Sequence, residues 1–162
     1  MRALSISLVL ALTPLAASQT DSLRTIQFVE LSSLRSGIGA VDTLRLNLSG
    51  EYDPERGVLY ITGTSIVESL GGATRPANAL VRLFWNVHER MIPDALVDHV
   101  DLCGPGLGFY QVNTVSNRDG DFAIPIPIAP EHLEDILSCL SIAATTSKGW
   151  DAVGAVAYGI AQ

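Results

Sequence analysis

Between Phe122 and Ile128 the chain reads Phe-Ala-Ile-Pro-Ile-Pro-Ile. Two prolines two residues apart exclude a helix, because each removes a backbone donor and clashes with the preceding turn. Only extended chain accommodates this order. Its period of two sends Phe122, Ile124, Ile126 and Ile128 to one face and Ala123, Pro125 and Pro127 to the other. Proline cannot donate to a ladder, so the segment is an edge strand or one that ends in extended chain.

The same period recurs upstream. Leu44, Leu46 and Leu48 face one way within Val41–Ser49, and Thr43, Arg45, Asn47 and Ser49 the other, as in a half-buried strand. Leu23–Leu31, Val58–Val67, Ala79–His88 and Phe109–Ser116 also read as strands, with Gly63 a candidate bulge. In Ala79–His88, Val81, Leu83, Trp85 and Val87 form one face. Cys139–Thr146 and Ala152–Ile160 close the chain around a turn at Ser147–Trp150, and Leu96–Leu102 adds a short strand. Gly50–Gly57 reads as a turn, Glu68–Ala77 as a loop, Ser32–Ala40 as a flexible Ser/Gly connector and Asn117–Gly120 as a tight turn. Pro130–Ser138 has the start of one or two helical turns, with proline first and acids following. Eight or nine short strands separated by turns predict an all-β, antiparallel β-sandwich, transthyretin-like or Ig-like.

Residues 1–18 are expected to stand outside that domain. Arg2 gives a basic start, Leu4–Leu12 an apolar run, and Ala16, Ala17 and Ser18 a small-residue cut site. This is the pattern of a secretory signal peptide, cleaved after Ser18 or, alternatively, after Ala17. The apolar run is too short for a permanent helix across a bilayer of ~30 Å, so no stable membrane anchor is expected after cleavage. The expected organisation is a signal peptide (1–18), an N-terminal strand on its connector (19–40) and a sandwich domain (41–162). Loss of Arg2 leaves nine basic residues against 17 acidic ones, a net charge of −8. That balance argues against nucleic acid and anionic membranes as partners. A secreted, extracellular or cell-surface location follows. Two cysteines, Cys103 and Cys139, in an oxidising compartment predict one disulfide. It would stabilise the fold by about 3–4 kcal/mol in the chain-entropy account. Two buried free thiols are the alternative.

Leu59-Tyr60-Ile61-Thr62-Gly63, Ala77–Leu83 and Thr114–Ile124 together carry a resemblance to transthyretin-like sandwich domains. That group includes the carboxypeptidase regulatory-like modules and the collagen-adhesin B-type repeats. The match spans about residues 58–147. In the family a strand enters as G-A-x-V-x-L and a later hairpin reads T-x-x-x-G-x-F. Here Asp119-Gly120 would make the hairpin turn, and Phe122 would drop into the core. The chain departs from the pattern by an insertion at 89–108 and by the strand Leu23–Leu31 before the domain. The resemblance implies a non-catalytic accessory, adhesive or structural module, with no catalytic residues to carry over.

Other residues offer chemistry by their type. His88, Glu89, Asp98, His99 and Asp101 would have metal-ligand character if their segments paired, but their spacing matches no ligand pattern. Solvated strand ends are the competing reading; a secreted metal-dependent hydrolase built on His88 and His99 is the alternative function. Asn117, Asp119 and Asp121 alternate as in a Ca²⁺ loop, yet lack the EF-hand glycine and glutamate positions, and a turn explains them. Asp53 and Glu55, and Glu131, Glu134 and Asp135, are carboxylate pairs whose spacing establishes no cleft. Asn47-Leu48-Ser49 is an N-glycosylation sequon on a polar strand face. Trp85 and Trp150 read as core aromatics, with sugar stacking the sharper alternative. No serine-nucleophile or phosphate-loop motif occurs, and no cofactor is expected.

The expected function is therefore non-catalytic: a module that binds a protein partner or itself, or forms extracellular structure. An amphipathic strand ahead of a Ser/Gly connector also suits donation to a neighbouring copy, with Leu23, Ile26 and Phe28 as the inserting residues; a strand that folds back on its own sheet is the competing reading and the favoured one.

Overall fold

The computed structural model describes residues 23–35, 42–86, 107–108, 110–148 and 151–161. The expected signal peptide, the segment holding His88, Glu89, Asp98, His99, Asp101 and Cys103, the strand Leu96–Leu102, and Trp150 lie outside them. The described chain is mostly β and forms two antiparallel sheets over a shared apolar core.

Among the described residues ten strands run in the order β1 (Arg24–Ile26), β2 (Phe28–Arg35), β3 (Thr43–Asp53), β4 (Val58–Glu68), β5 (Thr74–Pro76), β6 (Leu80–Trp85), β7 (Tyr110–Val115), β8 (Asp121–Pro127), β9 (Ser141–Lys148) and β10 (Asp151–Ile160). The first sheet has the order β1-β3-β4-β5, with β8 also paired to β4, in line with β5. The second has the order β2-β10-β9-β6-β7. Leu44, Leu46, Leu59, Ile61, Ile124 and Ile126 line the core from the first sheet; Val81, Leu83, Ile142 and Val156 meet them from the second. Full burial of each such side chain contributes about 1.5–3 kcal/mol. A 3₁₀ turn at Pro130–His132 leads into α1 (Leu133–Leu137), whose Leu133, Ile136 and Leu137 join the same core.

The segment Phe122–Ile128 behaves as its prolines dictate. Phe122, Ile124, Ile126 and Ile128 are buried, and Pro125 and Pro127 are exposed. Among the described strands β8 pairs with β4, which leaves its other side as an edge. Ile128 N–H donates to the Gly57 carbonyl (2.8 Å), which fixes the parity of the ladder. The backbone of Pro125 and Pro127 therefore faces outward, where the missing donors cost nothing.

Several boundaries differ from those expected. The strand read as Leu23–Leu31 is two strands: β1 pairs with β3 and β2 with β10, and the chain changes sheet at Gln27. The connector begins later than expected, because β2 pairs with β10 as far as Arg35. The turn after Ser49 is shorter, since β3 continues to Asp53. Gly50 is a strand residue, and a Cβ there would lie 3.0 Å from Ile26 Cβ and from the Phe28 ring, so the glycine admits the N-terminal segment. Gly63 is no bulge: β3 and β4 stay in register from Thr43↔Glu68 to Asp53↔Val58. Its missing side chain leaves room for Phe122, whose Cζ would be 2.6 Å from an added Cβ. The loop at 68–77 contains β5, closed by Ser69 N–H to the Ala73 carbonyl (2.9 Å).

The Asn117–Gly120 turn is not a hairpin. β7 belongs to the second sheet and β8 to the first, so this turn carries the chain between layers. Asn117 Oδ1 accepts from Asp119 N–H and Asp121 N–H (both 2.9 Å), and Gly120 takes φ +85°. Phe122 does enter the core, 7% exposed.

The second sheet is apolar on both faces. Phe84, Ala143, Ala155 and Ala157 alternate with the core-facing side chains and are buried too.

Candidate functional site

An open depression of about 470 Å³ lies where β3, β4 and β8 run side by side. Leu48 pairs with Gly63 and Gly63 with Phe122, so the depression centres on this rung of the three strands. Asn47, Ser49, Thr62, Thr64 and Asp121 supply its polar lining. Thr64 donates its hydroxyl proton to Asp121 Oδ1 (3.0 Å). The lining is one carboxylate among hydroxyls and amides, over the apolar Leu48 and Phe122. Such a surface can hydrogen-bond a polar ligand; it offers no second acid or base to share in proton transfer. Asn47 is exposed on β3, so the sequon lies within this depression.

Two of the carboxylates singled out from sequence, Asp53 and Glu134, hold the chain in place. Asp53 Oδ1 accepts from Glu55 N–H (3.0 Å) and Arg56 N–H (3.1 Å), closing the β3–β4 turn, and Asp53 Oδ2 lies 3.5 Å from Arg56 Nε. Arg24 on β1 pairs with Glu134 on α1, and its hydrogen bond holds the Glu134 carboxyl below its ordinary range. Asp121 is engaged by Thr64, and Asn117 spends its side-chain oxygen on the turn, so the Ca²⁺-loop pattern is used here as turn chemistry. Among the described residues no three His, Cys, Asp or Glu side chains group as a metal site requires.

Two polar features went unread in the sequence. The first is buried between the layers. Ser65 Oγ lies 2.5 Å from the Ala77 carbonyl, 2.8 Å from Ser116 Oγ and 3.1 Å from the Gly120 carbonyl. Ser116 Oγ accepts from Ala79 N–H (2.8 Å), and Asn78 Nδ2 donates to the Ser116 carbonyl (2.7 Å). Every contact of this pair but their own is to backbone or to a neighbouring amide, so the two hydroxyls clamp loops. The only signal for it was Ser65 occupying an inward position in the alternation of Ile61 and Val67.

The second ties the sheets together at the opposite edge. Tyr158 on β10 accepts at its hydroxyl from Leu46 N–H on β3 (3.2 Å) and lies 3.4 Å from Glu30 Oε2 on β2. Arg45 bridges Glu68 (2.8 Å) and Glu30 (3.1 Å), and the Glu68 hydrogen bond, then the Glu30 charge, hold its guanidinium above its ordinary pKa. Burial, foremost, raises the phenol of Tyr158.

Trp85 stacks on Tyr110 with ring centres 4.2 Å apart and planes 9° apart, and is 5% exposed, which makes it a core aromatic. Cys139 is buried and is not a free thiol; its Sγ lies 3.3 Å from the Asp135 and Ile136 carbonyls. Of the inserting residues expected for strand donation, Leu23 is exposed, Ile26 is in the core and Phe28 packs against it. Ile26 in β1 and Phe28 in β2 pair with β3 and β10 of their own chain. No helix among the described residues is long and apolar enough to cross a membrane. No family model, curated protein or solved structure matches the chain.

Proposed function

We propose that the chain is an exported, non-catalytic β-sandwich module that works by contact, binding a partner or building extracellular structure. One observation carries this reading. In the depression at Gly63 the Asp121 carboxylate is engaged by Thr64, and beyond it Asp53 and Asn117 are spent on turns and Glu134 on an ion pair. What remains is surface with hydrogen-bonding capacity. The leader-like residues 1–18 support export, and Cys103 as the partner of Cys139 fits an oxidising destination. The transthyretin-like resemblance points the same way, toward an accessory or adhesive module, although the layer-crossing turn at Asn117–Gly120 departs from its hairpin.

The test is made on protein recovered from the medium. N-terminal sequencing is expected to start at Gln19, and elemental analysis to find no stoichiometric transition metal. Zinc or copper bound one to one and lost on His88→Ala would replace this reading with the metal-enzyme alternative. Mature protein found in the cytosol with reduced thiols would remove the export premise.

A further inference from the structure

The chain holds five asparagines: Asn47, Asn78, Asn86, Asn113 and Asn117. Asn47 is the one followed two residues on by serine or threonine, with Leu48 rather than proline between them, which makes it the acceptor position of an N-glycosylation sequon. The structure sets the same residue apart on separate grounds. Asn78 donates to the Ser116 carbonyl (2.7 Å), and Asn86 donates to the Gly108 carbonyl (2.8 Å). Asn113 accepts from the Gln111 amide (2.9 Å), and Asn117 accepts from the turn it closes. Asn47 is exposed, and its side chain makes no hydrogen bond among the described residues. Four asparagines serve the fold, and the fifth is left to solvent.

Its surroundings are open as well. Along β3 Leu44 and Leu46 are buried, while Arg45, Asn47, Ser49 and Glu51 are exposed on the opposite face. The amide of Asn47 and the hydroxyl of Ser49, both of which the motif requires, therefore stand on one outer face. Asn47 is opposite Thr64, which is opposite Asp121; Ser49 is opposite Thr62, which is opposite Ala123. These neighbours are short, and the depression of about 470 Å³ that they line gives an attached group room against the sheet. A sugar brings hydroxyl protons that Asp121 can accept and oxygens to which Thr62 and Ser49 can donate.

We infer that Asn47 is an N-glycan acceptor in the exported chain. The donor it requires is an oligosaccharide carried on a lipid diphosphate. The Asn47 amide nitrogen attacks the anomeric carbon of the first sugar, a C–N bond forms, and the C–O bond to the diphosphate breaks. The lipid diphosphate leaves, the displaced amide proton goes to solvent, and nothing is oxidised or reduced. The product is a bulky, hydrated group on a strand face that already points to water, so the fold has nothing to rearrange. This inference rests on the reading of the chain as exported, since that donor is met along an export route.

Mass spectrometry of the full chain, recovered from the medium of the cells that make it, tests the assignment. The mature protein is expected to be heavier than the bare chain from Gln19 to Gln162. Treatment with an amidase specific for glycosylated asparagine should remove the excess and leave an acid in place of one amide, located in the tryptic peptide Leu46–Arg56. Asn47→Gln and Ser49→Ala should each lose the added mass completely, and Ser49→Thr, which keeps the hydroxyl, should retain it. All three positions of change are exposed, so circular dichroism should match the wild type. Secreted protein that begins at Gln19 with the bare mass overturns the inference and leaves the export reading standing. Added mass that survives Asn47→Gln overturns it too, because the sugar then sits elsewhere. Protein kept in the cytosol with residues 1–18 attached overturns both readings.

Discussion

The hydroxyl oxygens of Ser65 and Ser116 lie 2.8 Å apart, with the two residues at most 1% exposed. They join β4 to the end of β7 at the point where the chain crosses between layers. Ser65→Ala would remove the hydroxyl set between Ser116 Oγ and the Ala77 and Gly120 carbonyls, and Ser116→Ala would take the acceptor from Ala79 N–H. Each is expected to cost about 1–3 kcal/mol in urea unfolding. Because the two share partners, the double variant should lose clearly less than the sum of the two. Additive losses would show that the hydroxyls act separately.

Among the described residues Thr146 Oγ1 is buried without a hydrogen-bond partner. Thr146→Val keeps the shape and removes a desolvated polar atom. Stability is expected to hold or rise by about 1 kcal/mol, read as the urea midpoint. A loss larger than that would mean the hydroxyl has a role the geometry does not display.

Tyr158 and Tyr52 both have phenols raised above their ordinary pKa, in each case chiefly by burial. Tyr52 also donates to the Ile128 carbonyl (2.9 Å). The folded chain therefore keeps these protons to higher pH than the unfolded chain does. The stability they confer is intact below pH of about 10 and falls as pH rises through the raised values. Unfolding midpoints measured from neutral to strongly alkaline pH should drop steeply for the wild type. The drop should be shallower for a variant with Tyr52→Phe and Tyr158→Phe.

The outward prolines of β8 are expected to suppress sheet extension. Changing Pro125→Val and Pro127→Val restores two outward donors to an otherwise regular edge. Light scattering of the heated protein should rise earlier than in the wild type, with little change in the unfolding midpoint itself. Equal scattering would assign the protection of this edge elsewhere.

Alternation made much of the architecture legible. Phe122–Ile128 and Leu44–Leu48 announced their faces because each side chain states its own environment. Sheet membership was not legible. Nothing local to Gln27 or to Asn117–Gly120 says that the chain changes layers there, since a turn within one sheet and a crossing between two use the same residues. Gly50 and Gly63 misled for a related reason. Their small size answers to Phe28 and Phe122, which are remote in sequence, so a close approach looked like a turn or a bulge. The depression at Gly63 was hidden along with them. The Ser65–Ser116 pair was invisible because inward serine in a strand is defined by what faces it.

The change of sheet at Gln27 has a mechanical consequence. The Gln27 carbonyl accepts from Ala161 N–H (2.9 Å), and Phe28 is opposite Ile160 on the antiparallel neighbour, so β2 begins where the last described strand, β10, ends. A pull applied to Phe28 and Ile160 would peel β2 from β10 rung by rung, as a zipper opens, with few hydrogen bonds under tension at any moment. Strands sheared lengthwise would share the load and resist it. A pair wired this way yields early when stretched between those two residues, and it keeps its shape when the load hangs from one of them alone.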